Sequence, residues 1–142
     1  MRRIVLDASV IVKWFLVEED EGTNTYKAEK ILQQIASSQI TITQPTHWLP
    51  EVAAVLSRLL PETAERDILD LTEMHFEELS NPEILLRASR LSINLNHHLF
   101  DTLYHAVAQH IPNTTLITAD QRYFHKARNK GSIILLRDFP TS

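Results

Sequence analysis

Short β-branched runs alternate with longer stretches of helical spacing along this whole chain, and that alternation leaves few folds open. "RIVLDAS" (residues 3–9), "ITITQP" (40–45), "TLITAD" (115–120) and "SIILL" (132–136) have strand composition, and Pro45 closes the second. Between them, residues 23–38, 46–60, 81–96, 99–111 and 121–130 place apolar side chains at helical spacing. Thr46 is a candidate N-cap for the second of these helices. Asn81 caps the third, with Pro82 at its first position, and Gly131 follows the last. Residues 62–79 begin as a helix, and periodicity does not decide whether residues 74–79 become a further strand. Strands separated by helical crossovers pair in parallel, so the expectation is one α/β sheet covered on both faces. No linker, repeat or low-complexity tract divides residues 1–142, which read as a single domain.

Composition then removes whole classes of chemistry. With no Cys there is no disulfide framework, thiol nucleophile or Cys-ligated zinc. The two glycines, Gly22 and Gly131, stand apart, so no glycine-rich phosphate loop exists. The start "MRRIVLDASVIVKWFL" mimics a signal peptide, but Asp7 and Lys13 interrupt its apolar run and no cleavage site follows. No apolar stretch has the length of a membrane span, so the reading is cytoplasmic, with no membrane partner. A net charge of −4 does not describe a strongly basic nucleic-acid binder. Bound cations can still bring nucleic acid to an acidic site.

In open α/β sheets ligands bind outside the carboxyl ends of the strands. Asp7 and Asp120 both close a strand, and each taken singly reads first as an N-cap for the helix that follows. Glu51, beside Pro50, reads singly as a favourable charge at a helix N-terminus. Asp101 lies in "HHLFDTLYHAVA", where so much apolar surface demands a partner for a carboxylate or a cap role. Together, four carboxylates at strand ends and helix starts, with few basic neighbours in sequence, are most simply explained by a divalent cation with oxygen ligands. His97, Asp101 and His105 stand at i, i+4 and i+8, which admits a zinc or iron site. Against that, "NHH" precedes the helix proper, and His97 and His98 are left without a role. Trp14, Trp48, Tyr104 and Phe124 are more simply packing residues than base-stacking platforms. The acidic run of residues 18–22 reads as a solvated loop.

"IVLDASVIVKWFL", "PEVAAVL", "LFDTLYHAVA" and "LITADQRYF" resemble, in order, the four acidic motifs of the PIN-domain ribonucleases. The likeness is greatest to the VapC-type toxins of type II toxin–antitoxin pairs. The resemblance implies a three-layer α/β/α fold with a central, mostly parallel sheet. It also implies a metal-dependent ribonuclease that hydrolyses RNA with Mg²⁺ or Mn²⁺. Asp7, Glu51, Asp101 and Asp120 fall on the family's acids, with Asp7 and Asp101 as primary ligands. Asp120 and Glu51 complete the site, hold a second ion or position the attacking water. Ser9 and Thr118 fall on the small hydroxyl positions that hold ligand carboxylates. A homodimer and a protein antitoxin are the implied partners. A PIN fold kept for binding alone is the alternative within the family. A receiver-type signalling domain needs paired acids after the first strand and a late Lys. A haloacid-dehalogenase-type phosphatase needs a second acid where Ser9 stands.

Overall fold

Five strands form one sheet in the order β3-β2-β1-β4-β5: β1 Arg2–Leu6, β2 Ile40–Gln44, β3 Glu77–Glu78, β4 Thr114–Thr118 and β5 Ile133–Leu135. The computed structural model describes residues 2–16 and 22–140. All four strand pairings are parallel, which sharpens the expectation of a mostly parallel sheet. Fully buried Ile4, Val5, Leu6, Leu116 and Ile117 explain why the two central strands read as continuous apolar runs.

The first crossover carries α1 (Ala8–Ile11), a 3₁₀ turn (Val12–Trp14) and α2 (Gly22–Ala36), and the second carries α3 (Trp48–Leu59) and α4 (Ala64–Thr72). Residues 18–21 of the acidic run lie outside the described residues. Then α5 (Pro82–Leu95) and α6 (Leu99–His110) lead back across the sheet to β4, and α7 (Gln121–Ala127) leads on to β5. Steps toward β3 and steps away from it must cover opposite faces if every crossover is right-handed. The α1–α4 segments therefore form one layer and α5–α7 the other. Buried Tyr104, Ala106, Val107 and Ala108 make α6 the central helix of its layer, packed on β1, β2 and β4.

The order in which strands are added reverses between β1 and β4, which places a crevice at their carboxyl ends. This order also departs from the 2-1-3-4-5 arrangement of a receiver domain. Strand β1 ends at Leu6, so Asp7 is the first residue of the turn and caps α1.

Several local expectations need correction. Helix α3 starts at Trp48 with His47 at its N-cap, so Thr46 is not the cap; His47 itself makes no side-chain capping bond. The ring of His47 is held instead by tertiary contacts, with Nε2 2.7 Å from the Phe100 carbonyl and the ring tilted against that of Tyr104, centroids 4.8 Å apart. Asp101 is not a cap either: His98 is the N-cap of α6 and Asp101 sits in its first turn. The undecided segment does yield a strand, only two residues long. Its Glu77 carboxylate accepts from Thr43 Oγ1 at 2.9 Å and pairs with Arg3 at 2.8 Å. Asn81 caps α5 as expected, accepting from the Ile84 amide at 2.9 Å.

Gln44 fixes the crevice wall from within. Its fully buried amide accepts from the Leu6 N–H and donates to the Leu6 C=O, both at 2.8 Å, so it stands in for a strand at the last residue of β1. Replacing it with Leu strips both backbone groups of their partner in a buried setting. Gln44→Leu is expected to cost about 2–5 kcal/mol of stability, read as a lower urea midpoint at unchanged slope.

Candidate active site

Four acidic side chains from four separate elements converge on the β1–β4 crevice. Asp7 follows β1, Asp120 follows β4, Glu51 lies in the first turn of α3 and Asp101 in the first turn of α6. The two strand-end acids do cap their helices: Asp7 accepts from the Ser9 amide at 3.1 Å, and Asp120 from the Tyr123 amide at 3.0 Å. Capping and clustering are therefore compatible, because each carboxylate has two oxygens and capping occupies one.

That division holds at all four acids. Asp7 Oδ2 takes the Ser9 amide, the Ser9 hydroxyl and, at 3.4 Å, the Thr118 hydroxyl, while no protein donor among the described residues reaches Oδ1. Ser9 Oγ also accepts from the Ala119 amide at 3.0 Å, and Thr118 Oγ1 from the Asp120 amide at 3.0 Å. These two hydroxyls thus lash the β1 and β4 ends together. Asp120 uses Oδ1 for its cap and Glu51 uses Oε1 for the buried Tyr104 hydroxyl at 3.1 Å. Asp101 uses Oδ2 for His97 Nε2 at 2.9 Å. Each acid is anchored through one oxygen, and among the described residues the other accepts no hydrogen bond; that of Glu51, Oε2, stands 3.6 Å from His47 Nε2.

Electrostatics record how close these groups are. Burial pushes Asp7 up from 3.8 to about 6; the Ser9 hydrogen bonds oppose this, and the charges of Asp101 and Asp120 add to it. Asp7 keeps some surface open to solvent, yet protein encloses it on nearly every side. Burial likewise raises Glu51 from 4.5 to about 7, helped by Asp7 and Asp101 and opposed by Tyr104. Burial holds His47, 3.6 Å from Glu51, below its ordinary value, so it is a poor counter-charge. Like charges gathered without a cation raise one another's pKa, and a hard divalent ion with oxygen ligands is the complement such a set fits.

His97 is the site residue to which the sequence assigned no role. Its side chain is 9 % exposed, and one ligand atom from each of His97, Asp101 and Asp120 lies within 4.8 Å of the others. Lys126 Nζ stands 3.2 Å from His97 Nδ1. An ammonium has only protons to offer, so Nδ1 accepts and Nε2 carries the hydrogen donated to Asp101. In this arrangement His97 orients Asp101 and is not itself a ligand. His105 does not join it: buried in the core, it bonds the Tyr123 hydroxyl at 2.8 Å and the Gly131 carbonyl at 2.7 Å. The i, i+4, i+8 reading thus fails at its third member, and α6 begins only at Leu99, after His97. The aromatic residues pack: Tyr104 and Trp48 are buried, and the indole N–H groups of Trp14 and Trp48 donate to the Ala28 carbonyl and to Glu78.

Residues 4–130 match the family model of the PIN domain. The chain belongs to the PIN domain family. PIN domains are generally nucleases that use divalent metals, and the acid-lined crevice of this one has the donor chemistry for such an ion. Among solved structures, the chain is similar to PAE2754 from Pyrobaculum aerophilum, with a TM-score of 0.62 and 16% identity, over 95% of this chain and 90% of that one. At that identity the likeness speaks for the shared fold. No curated protein matches the sequence. Among the described residues of this PIN domain, no helix is long and apolar enough to cross a membrane.

Proposed function

We propose that this PIN domain is a Mg²⁺- or Mn²⁺-dependent endoribonuclease, the toxin of a type II toxin–antitoxin pair of the VapC type. The observation that carries the nuclease reading is the anchoring pattern: four acids from four elements, each held by a hydrogen bond through one oxygen, with Asp7 close enough to Asp101, Asp120 and Glu51 for their charges to interact. Asp7 and Asp101 would hold the cation, with Asp120 completing the set, while Ser9, Thr118 and His97 keep those carboxylates in place. A bound divalent ion supplies charge that offsets the charge developing on a phosphodiester and makes water a stronger nucleophile near neutral pH. Glu51, whose pKa stands near 7, is suited to receive the proton that attacking water gives up. Tyr104 donates to Glu51 Oε1, so the oxygen for that role is Oε2, which stands 3.6 Å from His47 Nε2.

The deciding experiment is cleavage of a mixed RNA by purified protein with Mn²⁺, repeated with chelator. Cleavage with Mn²⁺ and none with chelator is the expected result; activity that survives chelation removes the metal mechanism.

Self-association is proposed with it. Leu85, Leu86 and Ile93 of α5 and Phe100 of α6 are exposed apolar side chains, more than a lone domain needs to show water. A C2 dimer buries such surface, and an acidic site invites an antitoxin segment that presents Arg or Lys into it. Light scattering at micromolar concentration should give twice the 16.4 kDa chain mass, and a monomeric mass refutes the dimer. An Arg-bearing antitoxin segment should lose potency as Mn²⁺ is raised; inhibition indifferent to Mn²⁺ refutes that mode of control.

A further inference from the structure

The net charge of −4 hides a strong asymmetry. From Arg87 onward the chain carries seven Lys and Arg against three acids, two of which are Asp101 and Asp120. Arg122, Lys126 and Lys130 stand at i, i+4 and i+8 along α7 and the 3₁₀ turn that extends it (Arg128–Lys130). Residues four apart on a helix share a face, so these cations form a row about 12 Å long by helical rise. Two clefts open along that row on the α5–α7 side. The first, about 420 Å³, is lined by Arg122 and Lys126 with His97 and His98, and so adjoins the site through the His97–Asp101 bond. The second, about 630 Å³, is lined by Lys130 with Arg87, Arg90 and Asn94 of α5 and has one acid, Glu83. Each has the size of a nucleotide pocket and is open to solvent.

What these cations are doing in the protein is the informative point. Arg90, Arg122 and Lys130 are exposed, and among the described residues their side chains make no hydrogen bond or ion pair. Arg87 reaches only Gln109, at 3.5 Å. What sets these cations apart is their grouping: they are gathered on one flank, line two adjacent clefts, and begin where the acid crevice ends. An acidic site repels a polyanion, so a substrate strand needs a source of attraction beside it.

We propose that the α5–α7 flank is the track for the RNA strand. The backbone leaving the scissile phosphate passes Arg122 and then runs between Lys130 and Arg87–Arg90, which bind it by phosphate contacts without reading bases. A row of that length meets more than one successive phosphate of a single strand. The track rests on the ribonuclease reading above and adds to it where the substrate lies.

The test is an Arg90→Ala/Lys130→Ala double variant, both positions exposed and outside the acid cluster. The probe is a fluorescein-labelled single-stranded RNA of about twelve nucleotides, a length within single-strand binding-site sizes, followed by anisotropy in chelator so that nothing is cleaved. Two lost phosphate contacts should weaken binding about tenfold at low salt and flatten the log K against log salt slope by about 1.4. An Arg58→Ala/Arg66→Ala variant removes the same charge from the other layer and should leave the slope unchanged. With Mn²⁺, the track variant should lose cleavage of the long RNA through KM and keep cleavage of a trinucleotide. Parent-like binding and slope in the track variant overturn the track even if the parent cleaves RNA normally. Equal losses in both double variants overturn it in favour of net charge. Loss of poly-glutamate binding with RNA affinity unchanged overturns it in favour of an acidic protein partner. A parent that binds the RNA but never cleaves any RNA with Mn²⁺ removes the nuclease reading while leaving the flank a binding surface.

Discussion

Asp101→Asn is expected to abolish RNA cleavage while leaving the melting temperature of the metal-free protein unchanged or raised. The amide keeps the shape and can still accept from His97 Nε2 at the place where Oδ2 stands, so α6 and its first turn are undisturbed. What disappears is the negative charge that Asp101 offers a cation beside Asp7 and Asp120. If that charge supplies several kcal/mol of transition-state stabilisation, about 3 kcal/mol alone corresponds to a loss of roughly 100-fold. The measurement is single-turnover cleavage of a mixed RNA in Mn²⁺, with circular dichroism as the fold control. A variant that folds and retains even a third of parental activity removes Asp101 from the machinery. His97→Gln keeps a donor where Nε2 stood and should retain most activity, whereas His97→Ala should behave as a weaker form of Asp101→Asn.

The second large effect is a dependence of stability on pH that a cation reverses. Asp7 and Glu51 have folded-state pKa values near 6 and 7 against ordinary values of 3.8 and 4.5. Between those limits the native protein holds protons that the unfolded chain has released. The contribution is therefore fully present below about pH 4 and is lost as pH rises through 6 to 7. Asp7 alone, shifted by about two units, accounts for roughly 3 kcal/mol, or about 6–12 °C in melting temperature for a chain of this size. In chelator the protein should melt lower at pH 8 than at pH 5, and millimolar Mn²⁺ at pH 8 should restore the loss. Buried His105, held below its ordinary value by desolvation, works in the opposite sense as pH falls through 6.5. The difference between parent and Asp7→Asn separates the two. The variant should lack Asp7's share of the falling limb, leaving the share of Glu51, and should lose most of the response to Mn²⁺. Calorimetric scans in chelator that show identical pH profiles for parent and variant would sink the repulsive-cluster account.

How far the fold and the site were legible depends on whether the deciding contact is local. The strand ends at Asp7 and Asp120 were visible because a buried β-branched run stopped by Asp is a local signal, and Asn81–Pro82 is another. Helix α3 shows the opposite case. Thr46 had the better capping chemistry, yet His47 holds that place through contacts with Phe100 and Tyr104, more than fifty residues away. The pairing of His97 with Asp101 lay within reach of an i, i+4 reading. Its meaning did not, since Lys126, the residue that decides the tautomer, is 29 positions distant. His105 shared that spacing and was drawn into the core by Tyr123 and Gly131. Nothing local marks Gln44, and only the folded chain shows it bonded to both sides of Leu6. A two-residue β3 is too short to carry any periodicity at all.

The four acids enter the chain at positions 7, 51, 101 and 120, and β4 is the strand that brings the last of them beside the first. No shorter stretch of this polypeptide holds the constellation, and a chain still growing from its N-terminus lacks both β4 and Asp120 until most of it has been made. Domains fold as units during synthesis, at about 5–20 residues per second. On the ribonuclease reading proposed above, the incomplete chain would leave the message and the ribosome within its reach intact while it is being translated. The four acids come together only when the sheet closes.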